Sequence, residues 1–236
     1  MTILYEDNHL IAVSKTCNEI VQGDKTGDKP LLDTVKEYIK QKYGKPGEVF
    51  LGLPHRLDRP TSGVVLFART SKALTRLNDM FKSHEQIHKT YWAIVQGVPP
   101  MEEARLENYM QKNEKQNKSY IVSPEAAKKN KEAKLAVLEY RTLKRGDRYS
   151  LLEIQLLTGR HHQIRCQLAA LGCPVKGDLK YGARRSNPDG GICLHARSLQ
   201  LVHPVSRELL CITASVPEDK LWKELCAGIK TDNTAG

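Results

Sequence analysis

The segment 54–63 reads PHRLDRPTSG and places one carboxylate among a histidine, two arginines and two hydroxyls, between two apolar stretches. The carboxylate, Asp58, lies between Arg56 and Arg59, and neighbouring positive charge favours the ionised form of a carboxyl group. An ionised aspartate in a loop stiffened by prolines can act as a nucleophile, a general base or a metal ligand. The alternative is that Asp58 only pairs with an arginine and holds the loop in place.

A second polar segment, 158–165, reads TGRHHQIR and directly follows an apolar, strand-like stretch. Helical spacing places Arg160 and Gln163 on one face of a helix predicted over about 160–170. Donor groups at the start of a helix suit a phosphate or a carboxylate, so Arg160 is a candidate for binding an anion. A purely structural role for Arg160 is the alternative.

The sequence predicts no metal site. His161 and His162 are adjacent, so their side chains diverge by about 100° on a helix, and no glutamate completes an HExxH pattern. The six cysteines include no CxxC pair. They are expected to be reduced thiols, because the N-terminus lacks the features of a secretory signal.

A third segment, 89–93, reads KTYWA and has the aromatic and β-branched composition of a strand. Tyr91 alternates with its neighbours along that strand, which makes it either a half-buried structural residue or a ring that stacks on a base and assists proton transfer. The segment 172–182, GCPVKGDLKYG, is rich in turn-forming residues and is expected to be a structural connection.

The charge balance favours a polyanionic partner. Lysines and arginines number 37 against 27 acidic residues, a formal net charge of +10. Such an excess attracts nucleic acid or an anionic membrane surface. Because no apolar run approaches the roughly 20 residues of a membrane helix, the sequence predicts a cytoplasmic protein without a membrane span.

Apolar periodicity and turn-forming residues predict the elements that position these segments. The predicted strands are 2–6, 9–14, 49–53, 63–68, 89–96, 104–110, 118–122, 134–143, 149–157, 195–202 and 208–214. The predicted helices are 31–43, 72–84, 160–170 and 217–226. Strand content exceeds helix content, so the predicted fold class is α+β with a large mixed sheet.

Five segments in order resemble the RluA family of pseudouridine synthases. They read ILYEDNHLIAVSK, HRLDRPTSGVVLFART, KTYWAIVQG, TGRHHQIRCQLAALGCPVKGDLKYG and LHARSLQLVHP. The similarity runs from about residue 2 to about residue 216, and the motifs HRLDxxTSG and TGRxHQIRxQL in this order are highly specific.

The resemblance implies a mixed, largely antiparallel central sheet with flanking helices and an active-site cleft across the sheet. It implies a catalytic domain over 1–226, followed by a disordered tail over 227–236. The implied reaction breaks the C1′–N1 bond of a uridine in RNA, rotates the base and rejoins it at C5, with no cofactor or metal.

Roles carried over from the family attach to single residues. Asp58 resembles the catalytic aspartate, Tyr91 the tyrosine that packs on the base and can accept the C5 proton, and Arg160 the arginine that pairs with the carboxylate. Arg56 resembles the residue that enters the RNA stack when the uridine is extruded. Further RNA contacts are expected from the polar residues of both motifs: His55, Arg56, Arg59, Thr61, His162, Gln163 and Arg165.

The expected partner is structured ribosomal or transfer RNA, bound by a monomer without an obligate protein partner. Two other classes stay open. A non-catalytic RNA-binding protein has no need of an ionised carboxylate facing a polyanion. A hydrolase that uses His55 or His162 needs a second carboxylate or a metal cluster, and the motifs supply neither.

The sequence departs from the family in two places. Many members carry an S4-type RNA-binding domain first, whereas the first strand here begins at about Thr2, so such a domain is not expected. The stretch VSKTCNEIVQ has Thr16 and Cys17 where a Lys-Pro pair and a following glycine are common in the family. This second change concerns a loop outside the candidate catalytic set.

Overall fold

The computed structural model describes residues 1–24, 26–83 and 86–229. The chain divides into two compact units. The first unit comprises Met1–Ile87 and Ala196–Ser215, and the second comprises His88–His195 and the chain from Val216. Each unit has a hydrophobic core of its own.

Ten strands and five α-helices form within the described residues. In chain order the strands are β1 (Thr2–Glu6), β2 (Leu10–Lys15), β3 (Ser62–Ala68), β4 (Ile87–Gln96), β5 (Glu103–Asn113), β6 (Lys118–Val122), β7 (Lys134–Arg145), β8 (Tyr149–Leu156), β9 (Leu194–Val202) and β10 (Leu209–Thr213). The helices are α1 (Leu31–Lys42), α2 (Ser71–Ser83), α3 (Pro124–Lys129), α4 (Gln163–Ala170) and α5 (Lys220–Cys226).

In the first unit, β2 pairs antiparallel with both β1 and β3. β9 lies beside β3 and pairs antiparallel with β10. All seven residues of β3 are buried, as expected for a continuous apolar strand. Gly63, the second residue of this strand, has a φ of +117°, and a side chain there would collide with the backbone of Ala196. Only glycine allows this close approach of two strands.

In the second unit, the strand order is β4-β8-β7-β5-β6, and every neighbouring pair is antiparallel. α4 packs against β5 and β6. The largest core cluster of this unit includes Trp92 of β4, Ile154 of β8, Ile164 and Leu168 of α4, and Trp222 of α5. These contacts fix the strand that carries Tyr91 and the segment that precedes α4.

The predicted α+β class and the largely antiparallel sheet are confirmed. The predicted helix over 31–43 is confirmed as α1, which buries Leu31, Val35 and Ile39, one residue per turn. α2 begins at Ser71 and ends at Ser83, and residue 84 of its predicted range lies outside the described residues. The active-site cleft stays a prediction.

Three sequence predictions differ from the structure, and one helix was not predicted. The predicted strand at 49–53 reduces to a single bridge between Gly52 and Ala68. Helix α3 was not predicted, because its six residues are too few for a periodic apolar pattern and bury none of their side chains. The predicted helix over 160–170 begins only at Gln163, and the one over 217–226 begins at Lys220.

Most of the predicted disordered tail, residues 230–236, lies outside the described residues. Ile229 packs partly against the core of the second unit, so the ordered chain continues past residue 226. Among the described helices, none has the length and apolar character to cross a membrane.

Candidate active site

The Asp58 loop is held from below by a buried lysine. Lys15, at the end of β2, is 1% exposed. Its Nζ donates to the carbonyl oxygens of Arg59 at 2.9 Å and Thr61 at 2.6 Å, and also to that of Thr16 at 2.9 Å. Asp58 itself closes a turn, because its carbonyl accepts from the Thr61 N–H at 3.0 Å. Three hydrogen bonds therefore fix the backbone after Asp58. Lys15 donates two of them, to the carbonyls of Arg59 and Thr61, and the Thr61 N–H donates the third to the carbonyl of Asp58.

The electrostatics of Lys15 reflect this position. Burial lowers the pKa of its ammonium to about 8, while the negative charges of Glu19, the Cys17 thiolate and Asp58 act in the opposite direction. Asp58 is thus close enough to Lys15 for their charges to interact. A buried lysine keeps its proton only where carbonyl or carboxylate oxygens surround its ammonium group.

The other polar residues of this loop divide into exposed and internal groups. Arg56 is exposed, and Arg59 is exposed with an ion pair to Asp28 at 2.5 Å. Thr61 is 2% exposed, so its predicted RNA contact is not available to its side chain in this geometry. His55 accepts from the Leu66 N–H through Nε2 at 2.9 Å and stacks on the Phe81 ring.

His55 therefore ties the loop to β3 and α2 rather than presenting an acid–base group. Its Nε2 serves as an acceptor, which requires the unprotonated nitrogen. The Arg59 side chain pairs with Asp28, while its carbonyl oxygen accepts from the buried Lys15.

Tyr91 lies on β4 opposite Ile154 of β8 and is half-buried against the core of the second unit. The two residues beside Tyr91 bind β4 to β8 through side-chain hydrogen bonds. Thr90 exchanges hydrogen bonds with the side chain of Gln155, and the Trp92 indole donates to Glu153 at 3.3 Å. The ring of Tyr91 is thus positioned by a well-packed strand, as a stacking surface requires.

Arg160 is exposed and lies just before α4, in a loop rather than on a helix face as predicted. Its Nε donates to the carbonyl of Leu135 at 2.8 Å, and its backbone N–H donates to the Gln163 side chain at 3.0 Å. Burial and, to a smaller extent, the charge of Arg160 together lower the pKa of Lys89 on β4 to about 8. Two cations of the second unit therefore lie close together, an arrangement that suits an anion.

The His161–His162 pair is structural. The two rings stack at a centroid distance of 3.8 Å. The Ser119 hydroxyl of β6 lies 2.8 Å from His161 Nδ1, and His162 Nδ1 lies 3.1 Å from the Tyr181 hydroxyl. Burial lowers the pKa of His162 to about 2, so its ring stays neutral and uncharged at physiological pH.

His162 also explains why α4 begins late. Its backbone adopts φ 52° and ψ 28°, a left-handed conformation that interrupts a right-handed helix. The hydrogen bond to Tyr181 and the stack on His161 hold the residue in this conformation. Arg160 consequently projects from a sharp bend instead of from a helical turn.

Gln163 and Arg165 are buried, at 3% and 5% exposure. Gln163 accepts from the Thr158 hydroxyl and donates to the Val137 carbonyl. Arg165 forms a two-pronged ion pair with the buried Asp178, at 2.6 and 2.9 Å. The side chains of Gln163 and Arg165, like that of His162 at 9% exposure, are thus engaged inside the second unit. Their contacts with RNA stay a prediction.

Sequence reasoning missed several of the residues that position the candidates. Lys15 gave no signal beyond a polar residue ending a strand, Ser119 lies far from the motifs in sequence, and Tyr181 belongs to the turn-rich segment 172–182. Asp178 belongs to the segment 172–182, whose predicted structural role agrees with its buried ion pair to Arg165. Within the described ranges, no group of three or more His, Cys, Asp and Glu side chains has a metal-binding arrangement.

Comparisons with known proteins agree with this arrangement of motifs. A sequence model of the family described as RNA pseudouridylate synthase matches residues 9–170. The chain is 35% identical to tRNA pseudouridine synthase C of Vibrio cholerae, over 95% of this chain and 94% of that protein. It is 30% identical to the uncharacterized RNA pseudouridine synthase YlyB of Bacillus subtilis, over 93% of this chain and 70% of that protein.

A solved structure has the same fold. The human RNA pseudouridylate synthase domain containing 4 protein superposes with a TM-score of 0.75 at 26% identity, over 92% of this chain and 89% of that one. The chain belongs to the RNA pseudouridylate synthase family, in its RluA-type branch. It is an isomerase that converts uridine in RNA to pseudouridine, which rules out the hydrolase and the non-catalytic binder.

Proposed function

We propose that this enzyme modifies a uridine of transfer RNA, with Asp58 as the catalytic nucleophile. The observation that carries the choice of RNA is the similarity, over nearly the whole of both chains, to proteins named tRNA pseudouridine synthase C. The Vibrio cholerae protein is 35% identical and the Vibrio parahaemolyticus protein 33% identical.

The chemistry assigned to Asp58 needs an ionised carboxylate at a fixed position. Attack by the carboxylate, whether at C1′ or on the uracil ring, allows the C1′–N1 bond to break and the C1′–C5 bond to form. The proton on C5 leaves and N1 gains one, so no oxidant or other reagent is consumed. Lys15 supports this role because its hydrogen bonds fix the turn after Asp58.

Tyr91, Arg160 and Arg56 complete the proposed catalytic set. Tyr91 stacks on the extruded base and accepts the C5 proton, for which a half-buried ring on a rigid strand is suited. Arg160 stabilises the negative charge of the Asp58 carboxylate. Arg56, whose side chain is exposed, fills the gap that the flipped uridine leaves in the RNA.

Phosphate contacts supply most of the affinity in this account. The net charge of +10 and exposed arginines such as Arg56 and Arg59 favour sequence-independent binding to the RNA backbone. We propose that the enzyme acts as a monomer in the cytoplasm, where its tRNA substrate lies.

The proposal is tested with unmodified transcripts. Bulk tRNA and ribosomal RNA, each labelled with tritium at uridine C5, are incubated separately with the wild-type enzyme, and release of tritium is followed. We expect release from tRNA with a kcat/KM at least about tenfold above that for ribosomal RNA. Mapping pseudouridine in the product then gives the position.

Two results contradict parts of this proposal. Preferential release from ribosomal RNA overturns the substrate while leaving the isomerase intact. Release from neither RNA, under conditions where both bind, contradicts the catalytic assignment of the Asp58 loop.

A further inference from the structure

An exposed apolar patch lies on the outer face of the β5–β6 hairpin in the second unit. Tyr109 is 38% exposed, Tyr120 40% and Leu135 41%. Val122 is half-buried beside them. We call these four residues the tyrosine platform.

Strand register places the platform residues on one face of the sheet. Tyr109 of β5 is directly opposite Val122 of β6 and directly opposite Leu135 of β7. Directly opposed residues of antiparallel strands share a face, and so do residues two apart on one strand, such as Tyr120 and Val122. Tyr109 and Tyr120 are therefore diagonal neighbours on this face of the paired strands.

The opposite face of the same hairpin is buried and explains why the tyrosines are not core residues. Met110 and Ser119 alternate with the platform residues and are 4% and 2% exposed. Met110 packs in a small cluster with Cys166 of α4. The hairpin packs against the core through this buried face, so the exposed tyrosines on the other face are not part of the core.

Positive charge borders the platform. Lys118 Nζ lies 5.3 Å from the centre of the Tyr120 ring, a cation–π distance. Residues 123–134 comprise the connection between β6 and β7 together with Lys134, the first residue of β7. They carry four exposed lysines against two glutamates, a net charge of +2: Lys128, Lys129, Lys131 and Lys134, with Glu125 and Glu132.

The platform also adjoins a proposed catalytic residue within the same unit. Arg160 Nε donates to the backbone carbonyl of Leu135 at 2.8 Å. Leu135 is a member of the platform, so this hydrogen bond holds Arg160 beside the part of β7 that contributes to the platform.

We infer that the tyrosine platform binds unpaired bases of the RNA substrate that flank the target uridine. Aromatic rings bordered by lysines are what stacked bases and their phosphates require, whereas a protein partner for an apolar patch would not call for the lysines. The inference rests on the proposed function, because it gives that RNA a second point of contact beyond the phosphate backbone.

The inference is tested by comparing variants that lose a tyrosine ring with variants that keep the ring and lose only the hydroxyl. Tyr109→Ala and Tyr120→Ala are compared with Tyr109→Phe and Tyr120→Phe in the full chain, and Leu209→Ala in the first unit, at a residue 68% exposed, serves as the control. We expect each alanine variant to raise KM, and the dissociation constant measured by fluorescence anisotropy of labelled tRNA, by about tenfold, with kcat within about twofold. The phenylalanine variants and the control keep wild-type values.

The salt dependence distinguishes stacking from charge. Loss of a ring leaves the slope of log K against log salt unchanged, whereas Lys118→Ala lowers that slope by about one. Wild-type KM and dissociation constants in both alanine variants, with melting temperatures preserved, overturn the inference while the isomerase stands. A change in oligomeric state on loss of the rings, with RNA affinity unchanged, assigns the platform to a protein contact instead. If wild-type enzyme isomerises neither RNA, the anisotropy measurement still decides the platform separately.

Discussion

Lys15 has no recognisable signal in the sequence, yet its ammonium group fixes the backbone of the Asp58 loop. Three carbonyl oxygens accept its protons, and two of them belong to residues that follow Asp58 within the same loop. A nucleophile misplaced by about 1 Å loses much of its rate, because reaction requires near-attack geometry. Lys15 therefore acts through Asp58 and is a positioning residue.

Replacing Lys15 by methionine keeps a long, unbranched side chain but removes the donors, and leaves buried carbonyls unsatisfied. We expect kcat to fall by roughly tenfold to a hundredfold with KM for tRNA within about threefold, and the free energy of unfolding to fall by about 1–3 kcal/mol. Single-turnover kinetics and urea titration measure the two effects. The matched control is Lys40→Met, at an exposed lysine of α1 in the same unit. A wild-type kcat in Lys15→Met shows that the loop does not need this lysine.

At the scale of elements, the segment before α4 shows what sequence patterns predict and what they miss. Apolar spacing correctly placed α1, α2 and most strands, because each buries a periodic face. The start of α4 was predicted too early, because the left-handed backbone of His162 depends on Ser119 and Tyr181, which are distant in sequence. Tertiary contacts of this kind leave no local pattern.

The neutral His162 makes a prediction about acid stability. Burial lowers its folded pKa from 6.5 to about 2, so the unfolded chain binds a proton below about pH 6.5 that the folded chain does not. Stability that His162 contributes is therefore lost as the pH falls. Between pH 7 and pH 5 the wild type should lose about 2 kcal/mol more unfolding free energy than His162→Asn does.

Urea titrations of both proteins at the two pH values measure this difference. The variant lacks the histidine, so its remaining pH dependence reports all other groups. An equal loss in wild type and variant means that His162 takes up its proton equally well in the folded and the unfolded chain, which contradicts the lowering of its pKa by burial.

At the scale of the whole molecule, the candidate residues are distributed over both units. Asp58, Arg56 and Lys15 belong to the first unit, and Tyr91 and Arg160 to the second. The motifs predicted which residue types could carry the chemistry, because HRLDxxTSG and TGRxHQIRxQL are specific. They did not predict which polar residues are internal, because burial of Gln163, Arg165 and Thr61 depends on the packed fold.

The central claim is that Asp58 is the nucleophile of an RNA isomerase, and it is tested most directly by Asp58→Asn. Asparagine has nearly the same shape but no negative charge, so tritium release from C5-labelled tRNA should fall by at least about a thousandfold. The dissociation constant for tRNA should stay within about threefold, because phosphate contacts supply most of the affinity. Asp79→Asn, at an exposed residue of α2, provides the matched control. Wild-type tritium release by Asp58→Asn contradicts the assignment of Asp58.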